Sequence, residues 1–264
     1  MVKHPYFSSA SISKEELEFL KGYNPNAYKK PSVTADIVTI TVDEDNDLSV
    51  LLIRRGGYPY KDKWALPGGF LNVDEESVTE TAARELFEET GVSDMLLRQL
   101  YTFSDPLRDP RMHVISVAYT ALIPKSKLVY RAGDDADDVK LFKIQYDVDG
   151  MTFRSGSLMI TQDQLAFDHA KIIRMAIKRL RNRIDYEPDA FYLLEDRYRF
   201  TIYELKKIYE SIKNEKLDTA NFRKSFLRDY VSKDRARDLN EKKEGNGAKP
   251  ASLYCYTEEM KDEI

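Results

Sequence analysis

Arg84-Glu85-Leu86-Phe87-Glu88-Glu89-Thr90-Gly91 is the segment on which the reading of this chain turns. It closes a stretch, Ser77–Thr90, that suits a helix ending at Gly91, a good C-cap residue. At about 100° per residue, Glu85, Glu88 and Glu89 fall in one sector of that helix, and Ala82, Ala83 and Leu86 form an adjacent apolar face fit to pack on a sheet. Three carboxylates on one stripe repel one another unless positive charge lies between them. A hard divalent cation, Mg2+ (or Mn2+), meets that need, because it takes oxygen ligands and keeps waters for substrate phosphates. Arg84, next to Glu85 and one turn from Glu88, can hold a carboxylate in a fixed orientation. A solvated acidic face has the same composition, so the context decides. Just upstream, Leu66-Pro67-Gly68-Gly69-Phe70 puts a tight turn before the helix, and its glycines let a backbone carbonyl approach a metal or phosphate closely.

Outward from that segment the chain reads as strands. Val33–Val42 is rich in β-branched residues, and Leu48–Ile53 follows an Asp/Asn turn at Asp43–Asp47, so the two form a hairpin. Leu96–Thr102, Val114–Ile123 and Lys140–Gln145 read as further strands, with an acidic turn at Gly133–Asp138. The texture changes after Gly150. Gln164–Arg181 has helical apolar spacing. Thr201 with Glu204 makes a capping box ahead of Leu205, Ile208, Tyr209 and Ile212, and Asp218 caps a third helix with Phe222, Phe226, Leu227 and Tyr230 inward. Gly245-Asn246-Gly247 looks like a hairpin tip before a strand at Leu253–Tyr256, and Arg235–Lys249 reads as a low-complexity, mobile stretch. Helix, loop, helix, hairpin is the order of a winged helix. The near N-terminal residues add a short helical pattern at Ser13–Lys21.

The residues Gly69, Glu76 and Arg84-Glu85-Leu86-x-Glu88-Glu89-x-Gly91-Val92 resemble the Nudix box. The family spaces its glycine and first glutamate by five residues, whereas six separate Gly69 from Glu76 here; either the loop carries an insertion or Glu75 takes the position, and helix register favours Glu76. The resemblance implies an α+β fold, a Nudix α/β/α sandwich with a mixed sheet. It also implies hydrolysis of a pyrophosphate in a nucleoside diphosphate-linked compound. By resemblance Glu85, Glu88 and Glu89, helped by a Gly69 carbonyl, bind the metal, and Arg84 orients, with Glu76 completing the catalytic set. The physical chemistry agrees, since cleaving a diphosphate requires charge neutralisation and an activated water. The base is open between a box carboxylate and Asp134–Asp138. The text around the box is similar to ADP-ribose pyrophosphatases: Leu51-Leu52-Ile53-Arg54-Arg55, Trp64-Ala65-Leu66-Pro67-Gly68-Gly69-Phe70, and Pro106. Arg54 and Arg55 are the candidates to grip substrate phosphates, and Arg108 is open between a substrate contact and an ion pair that holds its loop. Arg54 and Arg55 point oppositely along a strand, so one of them reaches the site. Trp64 reads as core, and His113 and His169 as structural.

The second half resembles the Nudix-related transcriptional regulators, in Leu165-Ala166-Phe167-Asp168-His169 and Asn221-Phe222-Arg223-Lys224. That resemblance implies a Nudix domain with its lead-in over 1–184, a DNA-binding winged helix over 185–264, sensing of ADP-ribose or a related sugar phosphate, and a homodimer. Arg223, Lys224 and Arg228 lie on the outer face of the third helix, where they suit a double-stranded DNA operator, and Lys242 and Lys243 suit phosphate contacts by a wing. Two functions follow as expectations: a Mg2+-dependent hydrolase, or a sensor that binds its effector without turning it over.

Composition sets the outer limits. With 264 residues, 42% hydrophobic and 33% charged, the chain has material for a sizeable core under a wet surface. Its 11 Gly and 10 Pro exclude collagen-like composition, and its single cysteine, Cys255, excludes an internal disulfide and a thiolate metal cluster. No apolar run approaches the roughly 20 residues a membrane helix needs, and MVKHPYFSSAS lacks a signal-peptide core. The expected location is the cytoplasm. The net charge of −4 is uneven, with residues 161–264 near +2 and 221–250 at +4. This is the charge split of an acidic domain followed by a mildly basic one.

Overall fold

The structure is a computed structural model that describes residues 13–73, 75–90, 95–128, 136–147, 150–244 and 250–257. It contains two units, divided after Pro31. In the first, α1 (Lys14–Gly22) begins at Ser13, whose hydroxyl accepts the Glu16 N–H, and none of its residues is buried.

The second unit starts with the predicted hairpin. β1 (Ser32–Val42) pairs antiparallel with β2 (Leu48–Arg55) through Ile40–Val42. Asp43 closes the turn, its Oδ1 accepting the N–H groups of Asp45 and Asp47. Asn46 takes the left-handed conformation that Asn tolerates (φ 63°). Beyond the hairpin come two short strands, β3 (Trp64–Ala65) on β2 and β4 (Gly68–Phe70) on β1. The helix α2 (Val78–Thr90) follows, then β5 (Leu96–Phe103) and β6 (Val114–Leu122). β6 lies parallel to β1, and every other pairing is antiparallel, so the nine-stranded sheet among the described residues is mixed.

β7 (Ala136–Asp147), β8 (Gly150–Ser155) and β9 (Leu158–Thr161) complete the sheet in the order β5-β6-β1-β2-β7-β8-β9. β8 and β9 lie where the sequence reading passes from strands to helices without naming a strand. Met151, Phe153 and Ile160 alternate into the core, a period-two signal too short to stand out in the sequence.

Strand alternation gives the sheet two apolar faces. Ala35 and Ile37 pack against Ala82 and Leu86 of α2. Val38 and Ile40 face the other way, toward Ile172, Ile173, Ala176 and Ile177 of α3 (His169–Arg183). The sequence places Ala83 on the packed face of α2, but it is exposed, so the buried stripe is narrower. α3 also begins later than the expected Gln164. Leu165 bridges to Trp64, Ala166 N–H donates to the Trp64 carbonyl at 2.8 Å, and Phe167 has φ 50°, which breaks helical register.

The winged helix follows as β10 (Phe200–Thr201), α4 (Ile202–Lys213), α5 (Thr219–Phe226), β11 (Ala236–Lys243) and β12 (Ala251–Tyr256), with the strands ordered β10-β12-β11. The capping box at Thr201 and Glu204 is formed, Asn214 ends α4 at φ 56°, and Asp218 caps α5. The turn between the helices is clamped from inside: Glu210 accepts both the Lys206 ammonium (2.8 Å) and the Leu217 N–H (2.9 Å), while Lys206 donates to the Leu217 carbonyl. Residues Ala236–Lys243 form a strand, which corrects the reading of Arg235–Lys249 as mobile. Ala236 is buried there, and the charges that mask the strand in the sequence are exposed or half-buried. The proposed hairpin tip at Gly245–Gly247 lies outside the described residues. The apolar core does not break between the two parts of this unit: Ile184, Phe191, Phe200, Tyr230 and Tyr256 continue the cluster that α3 shares with the sheet.

Candidate functional site

Arg84 organises the site. From α2 its Nη2 and Nε reach the two carboxylate oxygens of Glu76 at 2.9 and 3.0 Å, a bidentate pair. Its Nη1 lies 2.8 Å from Glu85 and 3.5 Å from Glu88, and Nη2 lies 3.5 Å from the Phe70 carbonyl. One guanidinium therefore ties the loop after β4 to three carboxylates. Glu76 also accepts the Asn72 N–H and the Thr81 hydroxyl, whereas Glu75 makes a backbone turn contact, so of the two glutamates it is Glu76 that joins Arg84 among the described residues.

The glycine pair completes the arrangement. Asp36 of β1 faces Gly68 across the strand pairing. A Cβ at Gly68 (φ 149°) would overlap the Ala35 carbonyl, and one at Gly69 would overlap the Glu85 carboxylate. The backbone of β4 is thus pressed onto Glu85 in a cradle that any side chain would fill.

The carboxylates differ in electrostatic state. Hydrogen bonds from Arg84 hold Glu76 down to about 2, well below the usual carboxylate range. Burial pushes Glu85 up, against the pull of Arg84, and the neighbouring Glu88 and Glu76 charges add to the rise. A half-buried carboxylate kept up in this way is stabilised in its charged form by an added cation. Glu85 and the exposed Glu88 offer oxygen donors from one helical stripe beside the β4 backbone, a donor set that fits a hard divalent ion. The Glu89 side chain lies outside the described residues, as do Asp134, Asp135 and the Asp137 side chain, while Asp138 pairs with Lys140. The carboxylates of Asp43, Asp45 and Asp47 also approach one another, but they sit in the β1–β2 turn and Asp43 is occupied by N–H groups and the Ser49 hydroxyl.

The three candidate phosphate ligands part company. Arg54 is partly exposed and pairs with Asp62 at 3.0 Å. Arg55 donates Nε to the Pro59 carbonyl and lies 5.1 Å over the Phe167 ring. Arg108, open in the sequence between a substrate contact and a structural pairing, is an anchor: its side chain is 4% exposed and is held by Asp168 at 2.7 Å and Asp36 at 3.2 Å. Asp36 also takes the Ser116 hydroxyl. Burial works against charge on Arg108, but the hydrogen bonds it donates to Asp168 and the charge of Asp36 outweigh it and raise its pKa. Next to this cluster the buried His169 accepts the Leu66 N–H on Nδ1 at 2.8 Å, so the ring is neutral at that nitrogen, and burial pushes its pKa down. Trp64 is core, 4.7 Å edge-on to Phe142, and His113 contacts the Ser104 carbonyl. Asp36 escaped the sequence reading, and so did the roles of Asp168 and Leu66 as partners of Arg108 and His169. The signal for Asp36 was a lone Asp inside a β-branched strand, since a buried charge requires a partner.

On the winged helix, Arg223 and Lys224 are exposed on α5, with Phe226 buried behind them. Arg228 is exposed as well, but it sits past the helix in a wider π-type turn and pairs with Asp229 at 2.6 Å. Lys243 reaches Glu204 at 2.6 Å.

A model of the NUDIX domain matches residues 30–146, and a model of the NrtR DNA-binding winged helix domain matches residues 190–256. The chain is similar to the ADPR responsive transcriptional repressor NtrR of Acinetobacter baylyi, 31% identical over 91% of this chain and 88% of that protein. It is also similar to the ADP-ribose pyrophosphatase of Methanocaldococcus jannaschii, 36% identical over 64% of this chain and 83% of that one. Among solved structures, Shewanella oneidensis NrtR complexed with a 27mer DNA superposes with a TM-score of 0.65 at 28% identity, covering 85% of this chain and 93% of that chain.

Proposed function

Because the chain belongs to the Nudix family and carries a winged helix of the NrtR type, we propose a Mg2+-dependent hydrolase acting on ADP-ribose or a similar nucleoside diphosphate-linked compound, coupled to DNA-binding regulation. The observation that carries the catalytic half is the Arg84 clamp on Glu76, Glu85 and Glu88 with the Gly69 backbone pressed against Glu85. The repressor and pyrophosphatase relatives support ADP-ribose as the ligand class.

In this reading Glu85, Glu88 and Glu89, with the Gly69 backbone, hold Mg2+ (or Mn2+). Such an ion neutralises diphosphate charge and lowers the pKa of a bound water. Arg84 fixes the direction of Glu85 and Glu88, Glu76 holds Arg84, and the half-buried position of Glu85 keeps it responsive to an added cation. Arg54 and Arg55, at the end of β2, are the phosphate-gripping candidates. Arg223 and Lys224 on α5 contact DNA, with Arg228 at the edge of that face, and two copies of the chain present two such faces. The repressor relative supports a cytoplasmic regulator. No helix among the described residues is long and apolar enough to cross a membrane.

The test is purified protein with ADP-ribose and Mg2+, AMP being followed by chromatography beside a Glu88→Gln/Glu89→Gln control. AMP release that depends on Mg2+ and is lost in the control supports the hydrolase. Binding of ADP-ribose with no AMP in either protein replaces it with the pure sensor, a reading favoured by the repressor relative.

A further inference from the structure

Leu66 needs a hydrogen-bond acceptor that the strand ladder does not supply. β3 ends at Ala65 on β2, and β4 begins at Gly68 on β1, so residues 66 and 67 cross from one strand partner to another. Both are buried. Pro67 brings no N–H, so the Leu66 N–H is the last backbone donor ahead of the glycine pair, and a buried donor must be paired. Its acceptor is His169 Nδ1, 2.8 Å away and 103 residues further along the chain. From the other side, the Pro67 carbonyl accepts the Ile37 N–H at 2.9 Å.

His169 is held as firmly as the group it binds. It is buried in the first turn of α3, with the Phe167 ring tilted against it at 5.3 Å. Its Nε2 lies 3.9 Å from Asp36 Oδ1. Asp36 is the residue directly across the β1–β4 pairing from Gly68. Arg108 ties Asp36 to Asp168, the residue before His169. One buried polar group therefore holds residues 66–68 from two directions, with His169 on Leu66 and Asp36 opposite Gly68.

That hold bears on the box because the glycine pair has no slack. A Cβ at Gly68 would overlap the Ala35 carbonyl and one at Gly69 the Glu85 carboxylate, so a shift at Leu66 passes through Pro67, whose φ is fixed, into the backbone against Glu85. Filling the core explains why residue 169 is buried. It does not explain an imidazole whose bare nitrogen meets a backbone N–H, since Phe or Leu would fill the same space without burying a polar atom.

We propose that His169 is a positioning residue for the metal site: by accepting the Leu66 N–H it fixes the Gly69 backbone against Glu85. The assignment rests on the reading that Gly69 and Glu85 help to hold the ion. The test uses the full chain, with Mn2+ binding followed by electron paramagnetic resonance and ADP-ribose hydrolysis measured beside it. His169→Phe keeps a ring in the core and removes the acceptor. His169→Asn gives up the ring and keeps an oxygen where Nδ1 stood. For His169→Phe the Mn2+ dissociation constant is expected to rise about tenfold or more, the range for losing a group that orients a metal ligand, and kcat to fall with it while KM for ADP-ribose stays unmoved. His169→Asn is expected to bind Mn2+ like the wild type, even where its melting temperature is the lower of the two. A residue that only fills the core gives the reverse order, with Phe the better replacement. His169→Phe with wild-type Mn2+ affinity, in a chain that turns over ADP-ribose, overturns the positioning role and leaves the box reading standing. A folded His169→Asn that loses Mn2+ overturns it equally, and decides the matter alone where His169→Phe does not fold. A wild-type chain that neither binds Mn2+ nor hydrolyses ADP-ribose overturns both readings.

Discussion

Glu76 shows how far single residues control the site. It fixes Arg84, which then aims Glu85 and Glu88. Its folded pKa, near 2, lies below that of an ordinary glutamate. The contribution is therefore complete above the unfolded value and lost as pH falls toward 2. Denaturant unfolding between about pH 5 and pH 2.5 is expected to show a decline that Glu76→Gln flattens; equal slopes in both proteins remove the clamp. Gly69 makes a sharper case. A Cβ there overlaps Glu85, so Gly69→Ala shifts the carboxylate, and displacement by about 1 Å costs on the order of a hundredfold in rate. Steady-state hydrolysis checks it, with wild-type kcat in Gly69→Ala as the contrary result.

At the scale of elements, helices with caps and strands with β-branched runs were legible, and the box helix most of all, because its carboxylate stripe and C-terminal glycine agree with its apolar face. β8 and β9 were not legible, since four to six residues give too short an alternation, and β11 hid behind its charges. The start of α3 was misplaced because Leu165 and Ala166 have helical character, while a long-range tie to Trp64 and the left-handed Phe167 decide the matter. Within the site, the helix-borne residues could be read from spacing. The Asp36–Arg108–Asp168 cluster could not, because it gathers three distant segments. It anchors the β5–β6 loop and the N-terminus of α3 to β1. Arg108→Ala leaves the buried Asp36 and the partly buried Asp168 without their cation, and about 3 kcal/mol of stability or more is expected to go. Chemical denaturation measures it, and a loss under about 1 kcal/mol contradicts the anchor role. His169 adds a pH signature. Its folded pKa is lowered by burial, so the unfolded chain binds a proton that the folded one refuses, and stability falls as pH drops below about 6.5.

The whole molecule joins a site for small anions to a face for a large one. α3 begins at the Leu66–His169 bond beside the box loop and ends against α4, where Arg181 donates to the Ile212 carbonyl at 2.8 Å and Asp185 pairs with Lys213. The continuous apolar core makes the two parts one packed body. On the outer face, Arg223→Ala/Lys224→Ala is expected to weaken binding to double-stranded DNA and to lower the salt dependence, by a slope of about 0.9 for each phosphate left without its cation. Fluorescence anisotropy across a salt series measures this, and an unchanged slope removes α5 as the DNA-contacting helix.

The central claim is that the α2 carboxylates run a metal-dependent hydrolysis. Its most direct test is the Mg2+ titration of ADP-ribose turnover by the wild type and by Glu85→Gln, with melting temperatures recorded for both. The account predicts turnover that rises with Mg2+ in the wild type and falls by roughly a hundredfold or more in Glu85→Gln, with the fold intact. Glu85→Gln working at the wild-type rate would contradict it.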